Sequence, residues 1–109
     1  MVFAEEYSEE FDTLRKNRVK TSYHKYGSAK INYENKLINS LGSMLKAIEK
    51  YKSTGNKEYL CDAANYIMFE FMYPQRAGAF FRATDSSESA GICGISVKEM
   101  ESMSIEQKE

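Results

Sequence analysis

Several residue types are scarce in this chain, and each scarcity removes a class of function. There is one histidine, His24, in 109 residues. A serine or cysteine nucleophile needs a placed base, and no G-x-S-x-G elbow accompanies that histidine. The two cysteines, Cys61 and Cys93, lack zinc-ligand spacing, so a structural zinc site is excluded and a reduced, cytoplasmic setting is expected. No apolar run approaches 18 residues, so no membrane-spanning helix is expected. The first residues, MVFAEEYSEE, are acidic and do not read as a signal peptide. Proline occurs once, at Pro74, and tryptophan not at all. Internal repeats are absent as well.

What remains is ordinary globular composition with many rings: eight tyrosines and six phenylalanines supply core and contact material. One domain covering 1–109 is expected, with a frayed tail over about 104–109. Net charge is −1, but its distribution is uneven. Residues 1–12 carry −5, residues 13–36 carry +6, and residues 84–109 carry −4. Such a dipolar chain can present different faces to different partners, or simply solvate its helices.

Periodicity predicts an all-α fold: a three-helix core, a long ordered loop and a short C-terminal helix. The first helix is expected at about 3–19, with Phe3, Tyr7, Phe11, Leu14 and Arg18 on one face. The second is expected from about Tyr33 to Lys52, with Leu37, Ile38, Leu41, Met44, Leu45, Ile48 and Tyr51 as its stripe and Gly55 as its C-cap. The third spans 57–73, capped by Asn56 and ended by Pro74. This third helix is apolar over most of its circumference, so it should be central, with Cys61, Ile67 and Phe71 in the core. Glu70 stands as a lone acid on one side. Residues 75–95 read as an ordered loop with one helical turn at Ala77–Phe81. Ser96 and Glu99 form a capping-box pattern that starts a last helix through about Met103.

Four groups carry candidate chemistry. Arg15, Arg18, Lys20 and Lys25 surround Tyr23, His24 and Tyr26, a pattern of bases and stackable rings able to hold nucleic acid or a nucleotide. A basic helix end and connector in water is the simpler expectation for it. GSAK at 27–30 lacks the length of a P-loop. Glu58, Asp62 and Asn65 line a narrow polar strip on the third helix. That strip faces water, docks the Tyr23–Lys30 corner, or binds Mg²⁺; docking onto the corner is the expectation. Thr84, Asp85 and Ser86 belong to a hydroxyl-rich loop suited to local turns or to contact. Cys93, between Gly91 and Gly94, reads as an exposed loop thiol.

Two resemblances follow from these motifs. Glu5, Glu6 and Glu9 match the E-E-x-x-E helix of MazG-type pyrophosphohydrolases, which implies Mg²⁺ held by Glu5, Glu6, Glu9, Glu58 and Asp62. The second family motif, E-x-x-D, is not matched, because Glu58 and Asp62 stand four apart. More of the chain, most of residues 7–97, resembles a widespread group of short phage and mobile-element proteins. The likeness rests on K-Y-G at Lys25–Gly27, T-G-N at Thr54–Asn56, D-x-A-N at Asp62–Asn65 and T-D-S-x-x-S-A-G at Thr84–Gly91. Residues Gln75–Phe81 depart from that pattern. The resemblance implies a non-enzymatic accessory protein without a cofactor. It would bind a host protein such as a CRISPR-associated nuclease, or capture a nucleotide signal.

Overall fold

Ser8 starts the first long helix. Its backbone is extended and its hydroxyl accepts the Phe11 N–H at 3.0 Å, while Glu9, Glu10 and Asp12 place negative charge at the positive helix end. The computed structural model describes residues 2–94. Among them are four α-helices and no strands: α1 Glu9–Tyr26, α2 Ala29–Glu34, α3 Ser40–Thr54 and α4 Glu58–Met72. The all-α architecture expected from periodicity is therefore observed. The chain falls into two compact units, 1–79 and 80–109.

The first helix sits later than its apolar period predicts. Val2–Glu5 form a separate 3-10 turn, and α1 begins only after the Ser8 cap. It then continues to Tyr26, where Gly27 at φ 82 ends it. Tyr23, His24, Lys25 and Tyr26 are thus the last helical turn, not a connector. No residue of α1 is buried. The expected apolar face of Phe3, Tyr7, Phe11 and Leu14 stays exposed. This helix docks by polar groups instead.

The expected second helix is two helices. Ser28 caps α2 by accepting the Ile31 N–H, and the chain leaves the helix at Asn35 and Lys36. Lys36 adopts φ 57, a left-handed conformation that costs a side-chain-bearing residue about 1–2 kcal/mol. Asn39 then caps α3 by accepting the Gly42 N–H at 3.0 Å. Two Ser/Asn caps override a continuous apolar stripe. At its other end α3 stops as expected, with Gly55 at φ 74 donating to the Tyr51 carbonyl at 2.7 Å.

Helix α4 matches its prediction within a residue at each end. Lys57, not the expected Asn56, holds the N-cap position and makes no side-chain cap bond; Asn56, one residue earlier, accepts the Glu58 N–H on its Oδ1 at 3.0 Å. The helix packs against both α3 and α1, which makes it central. Its far end is fixed to the start of α3. The Glu70 carboxylate accepts the hydroxyl of the fully buried Ser40 and the Gln75 N–H, and the Gln75 amide reaches the Ile38 carbonyl. These bonds hold the Glu70 carboxyl below its usual range, the Ser40 hydroxyl first among them. The buried apolar residues are small or single: Tyr33, Ala47, Cys61 and Ala63. Cys61 is in the core as expected, but Ile67 and Phe71 are not, at 52% and 71% exposure.

The expected turn at Ala77–Phe81, which spans the boundary between the units, is not helical. A single 3-10 turn, Ser86–Glu88, follows instead. The Ser96–Glu99 capping box and the last helix lie outside the described residues.

Candidate functional site

The polar strip of α4 is where α1 attaches. Arg18 grips Asp62 with two nitrogens, Nε to Oδ1 at 3.0 Å and Nη2 to Oδ2 at 3.3 Å. The same guanidinium lies 3.5 Å from Glu58. One turn along, Asn65 donates from Nδ2 to the Arg15 carbonyl at 2.9 Å, and Arg15 itself reaches Met68 Sδ and Asp12. The strip therefore docks on the middle of α1 and not on the K-Y-G corner. The reason is reach: Arg18 stands about two turns before Gly27, and its fork matches a carboxylate bidentately. Hydrogen bonding to Asp62 raises the already high Arg18 pKa further.

Beside this attachment the Asp62–Asn65 part of the polar strip lines a cleft of about 350 Å³. Tyr23, Tyr26, Tyr33, Tyr66 and Phe69 supply its rings, and Arg18, Asp62 and Asn65 its polar groups. Five of the residues singled out from sequence thus come together here: Arg18, Tyr23, Tyr26, Asp62 and Asn65. The walls have different rigidity. Tyr33 stacks on Phe69 with ring centres 4.9 Å apart and lies near Tyr73 at 6.4 Å, so α2 is pinned to the end of α4. Burial pushes the Tyr33 phenol up to about 12, and it raises Tyr66 as well. Tyr23 and Tyr26, by contrast, are exposed on the last turn of α1. Tyr23 meets His24 edge-on, and Lys25 Nζ lies 5.2 Å from the Tyr26 ring centre.

Asn65 is 6% exposed, and its Oδ1 is a buried acceptor with no hydrogen-bond partner. The amide orientation follows from its neighbour, since only the NH₂ can satisfy the Arg15 carbonyl. Sequence reasoning found Asn65, with Phe69 on the same strip of α4, but missed Tyr33 and Tyr66. The signal for Tyr66 was present: Asp62, Asn65, Tyr66 and Phe69 recur at steps of three, one and three on one helix face.

Other candidates go elsewhere. Lys20 is exposed and does not line the cleft. Glu5, Glu6 and Glu9 are exposed at the chain start, and the Arg18 guanidinium occupies the approach to Glu58 and Asp62. Among the described residues no group of three or more His, Cys, Asp or Glu side chains converges to hold a metal ion. Cys61 is buried, and burial raises its thiol away from the reactive thiolate. Cys93 is exposed. Thr84, Asp85 and Ser86 belong to the second unit. There Asp85 Oδ1 accepts from the Ser87 and Glu88 N–H groups at 2.9 and 3.2 Å, and Glu88 pairs with Arg82. That capping box fixes the local turn. No helix among the described residues is long and apolar enough to cross a membrane. No protein-family model matches the chain, and neither curated proteins nor solved structures gave a significant match.

Proposed function

We propose that this chain is a non-enzymatic binding protein that acts by protein–protein contact. Its partner, by the likeness to phage and mobile-element proteins, is a host defence nuclease of the CRISPR-associated kind. One observation carries the contact reading. Apart from Tyr33, the apolar residues it buries are smaller than those it leaves in water: Leu41 and Leu45 on α3 and Ile67 on α4 are 46%, 58% and 52% exposed. A groove of about 770 Å³ between α1 and the start of α4, with Phe11, Leu14 and Leu60 in its walls, adds to this surface. Single exposed apolar residues are ordinary, but a set of them on adjoining helices marks an interaction surface. The rival pyrophosphohydrolase reading needs free carboxylates on α4, and Arg18 sits on both of them.

The test is a cleavage assay with a purified RNA-guided nuclease, its guide and a labelled target. Adding the protein should suppress cleavage in proportion to a complex seen by size exclusion. Leu41→Glu with Leu45→Glu should restore cleavage while leaving the helical circular dichroism intact. Full cleavage with the wild-type protein present in excess, and no complex, would overturn the reading.

A further inference from the structure

The positive charge of this chain is concentrated in one stretch. Residues 13–57 hold eleven bases and two acids. The arginines of that stretch are used internally: Arg15 pairs with Asp12 and Arg18 with Asp62. Lys52 pairs with Glu49. Lys16, Lys20, Lys46 and Lys50 are exposed and make no ion pair among the described residues.

These four lysines form two short rows. Helices α1 and α3 both pack on α4 and hardly on each other. Asp62 and Tyr66 of α4 lie between them, lining the cleft on the α1 side and also a hollow of about 230 Å³ on the α3 side. Lys46 and Lys50 line that hollow, with Ser43 and Tyr59. On α1, Lys16, Lys20 and Tyr23 stand at i, i+4 and i+7 and so share one line of the helix. Tyr23 lines the cleft, which puts the α1 lysines along its rim. The carboxylate common to both linings, Asp62, is already held by Arg18. The groove between α1 and α3 is therefore a floor of settled charge with unpaired ammonium groups on both sides.

We infer that this groove docks a single strand of nucleic acid through its phosphates. Charge selects a polyanion, since opposite rows of unpaired cations gain most from a chain of anions laid between them. The residue type selects phosphate over carboxylate. Arginine, whose fork suits a carboxylate, is spent inside the protein, and the outward cations are lysines, compact charges that meet phosphates singly. The spacing suits a strand. Lysines four apart rise about 6 Å along a helix, so each row can follow successive phosphates. A single backbone fits between the rows, whereas a duplex would rest on one of them. The inference does not rest on the apolar contact surface and uses none of Leu41, Leu45 and Ile67.

Fluorescence anisotropy of the full chain with a labelled single-stranded oligothymidylate tests it. Four engaged lysines should give a slope of about −3 in log Kobs against log salt concentration, about 0.7 per phosphate neutralised. Lys46→Gln with Lys50→Gln should reduce that slope by about 1.4 and weaken binding about 25-fold at about 0.1 M salt. Lys16→Gln with Lys20→Gln, on the opposite rim, should do the same. Lys52→Gln with Lys57→Gln removes equal charge away from the groove and should leave the slope unchanged. All six positions are exposed, so helical circular dichroism should match wild type in every variant. No binding by wild-type protein at about 50 mM salt would overturn the inference. So would equal losses from the Lys52/Lys57 pair, equal affinity for a duplex of the same length, or competition by an oligoglutamate of the same charge.

Discussion

Replacing Asp62 by alanine separates a structural strip from a metal site. The side chain accepts two charge-assisted hydrogen bonds from Arg18, at 3.0 and 3.3 Å. Buried charged hydrogen bonds are worth about 1.5–3 kcal/mol, while fully exposed ion pairs are worth about 0–1 kcal/mol. Arg18 and Asp62 side chains are 39% and 22% exposed, which places the pair between these limits. Loss of Asp62 does not strand the guanidinium completely, because Glu58 remains 3.5 Å away. Asp62→Ala should therefore cost about 1–2 kcal/mol in urea unfolding followed at 222 nm. A double-mutant cycle with Arg18→Met should return a coupling of about 1 kcal/mol. Millimolar Mg²⁺ should raise the wild-type melting temperature no more than sodium chloride of equal ionic strength. A neutral or stabilising Asp62→Ala, or a Mg²⁺-specific rise that the variant loses, would refute this reasoning. A neutral result would make the strip a solvated face, and a stabilising or Mg²⁺-specific one would return the two carboxylates to metal chemistry.

Other expectations are as direct. Ser40→Ala removes the hydroxyl that the Glu70 carboxylate accepts and should cost about 1–3 kcal/mol. Because the Glu70 carboxyl is held low in the folded state, its contribution is present above the ordinary value of 4.5 and is lost as pH falls below it. The acid limb of the stability curve should be shallower in Ser40→Ala. Tyr33→Ala should cost about 3–5 kcal/mol, whereas Phe71→Ala, at an exposed position, should cost under about 1 kcal/mol by the same urea assay. Spectrophotometric titration should find one phenol ionising near 12 and not near 10. Since unfolding frees that phenol to ionise, stability should decline as pH rises from 10 toward 12. A maleimide should label Cys93 in the native protein and Cys61 only after unfolding.

Helix α4 was legible because several signals agree there: an apolar majority, Asn56 before it and Pro74 after it. The α1 boundaries were not, because its apolar residues at Phe3, Tyr7, Phe11 and Leu14 keep a helical period while staying in water. The Ser8 cap, a one-residue signal, overrides that period. The α2–α3 break was hidden for the same reason, with Ser28 and Asn39 outweighing a stripe from Leu37 to Tyr51. An apolar arc suggests cover on all sides, yet Ile67 and Phe71 stay 52% and 71% exposed while α4 packs against α1 and α3 and holds Tyr33 of α2 at its end. Of the site, Arg18, Tyr23, Tyr26, Asp62 and Asn65 were visible as residue types, but their convergence was not. A linear chain gives no sign that Arg18 will reach 44 residues ahead to Asp62.

The modest core has a consequence for abundance. Among the described residues, four buried apolar side chains and a few polar clamps stand against the chain entropy of folding. Whatever binds only the folded form then adds RT ln(1 + [L]/Kd) to its stability, about 2.7 kcal/mol at a hundredfold excess over Kd. Proteases act on the opened form, so a ligand of the folded form would slow cutting. The level of this protein in a cell would then rise with that of any such ligand, without any change in its synthesis.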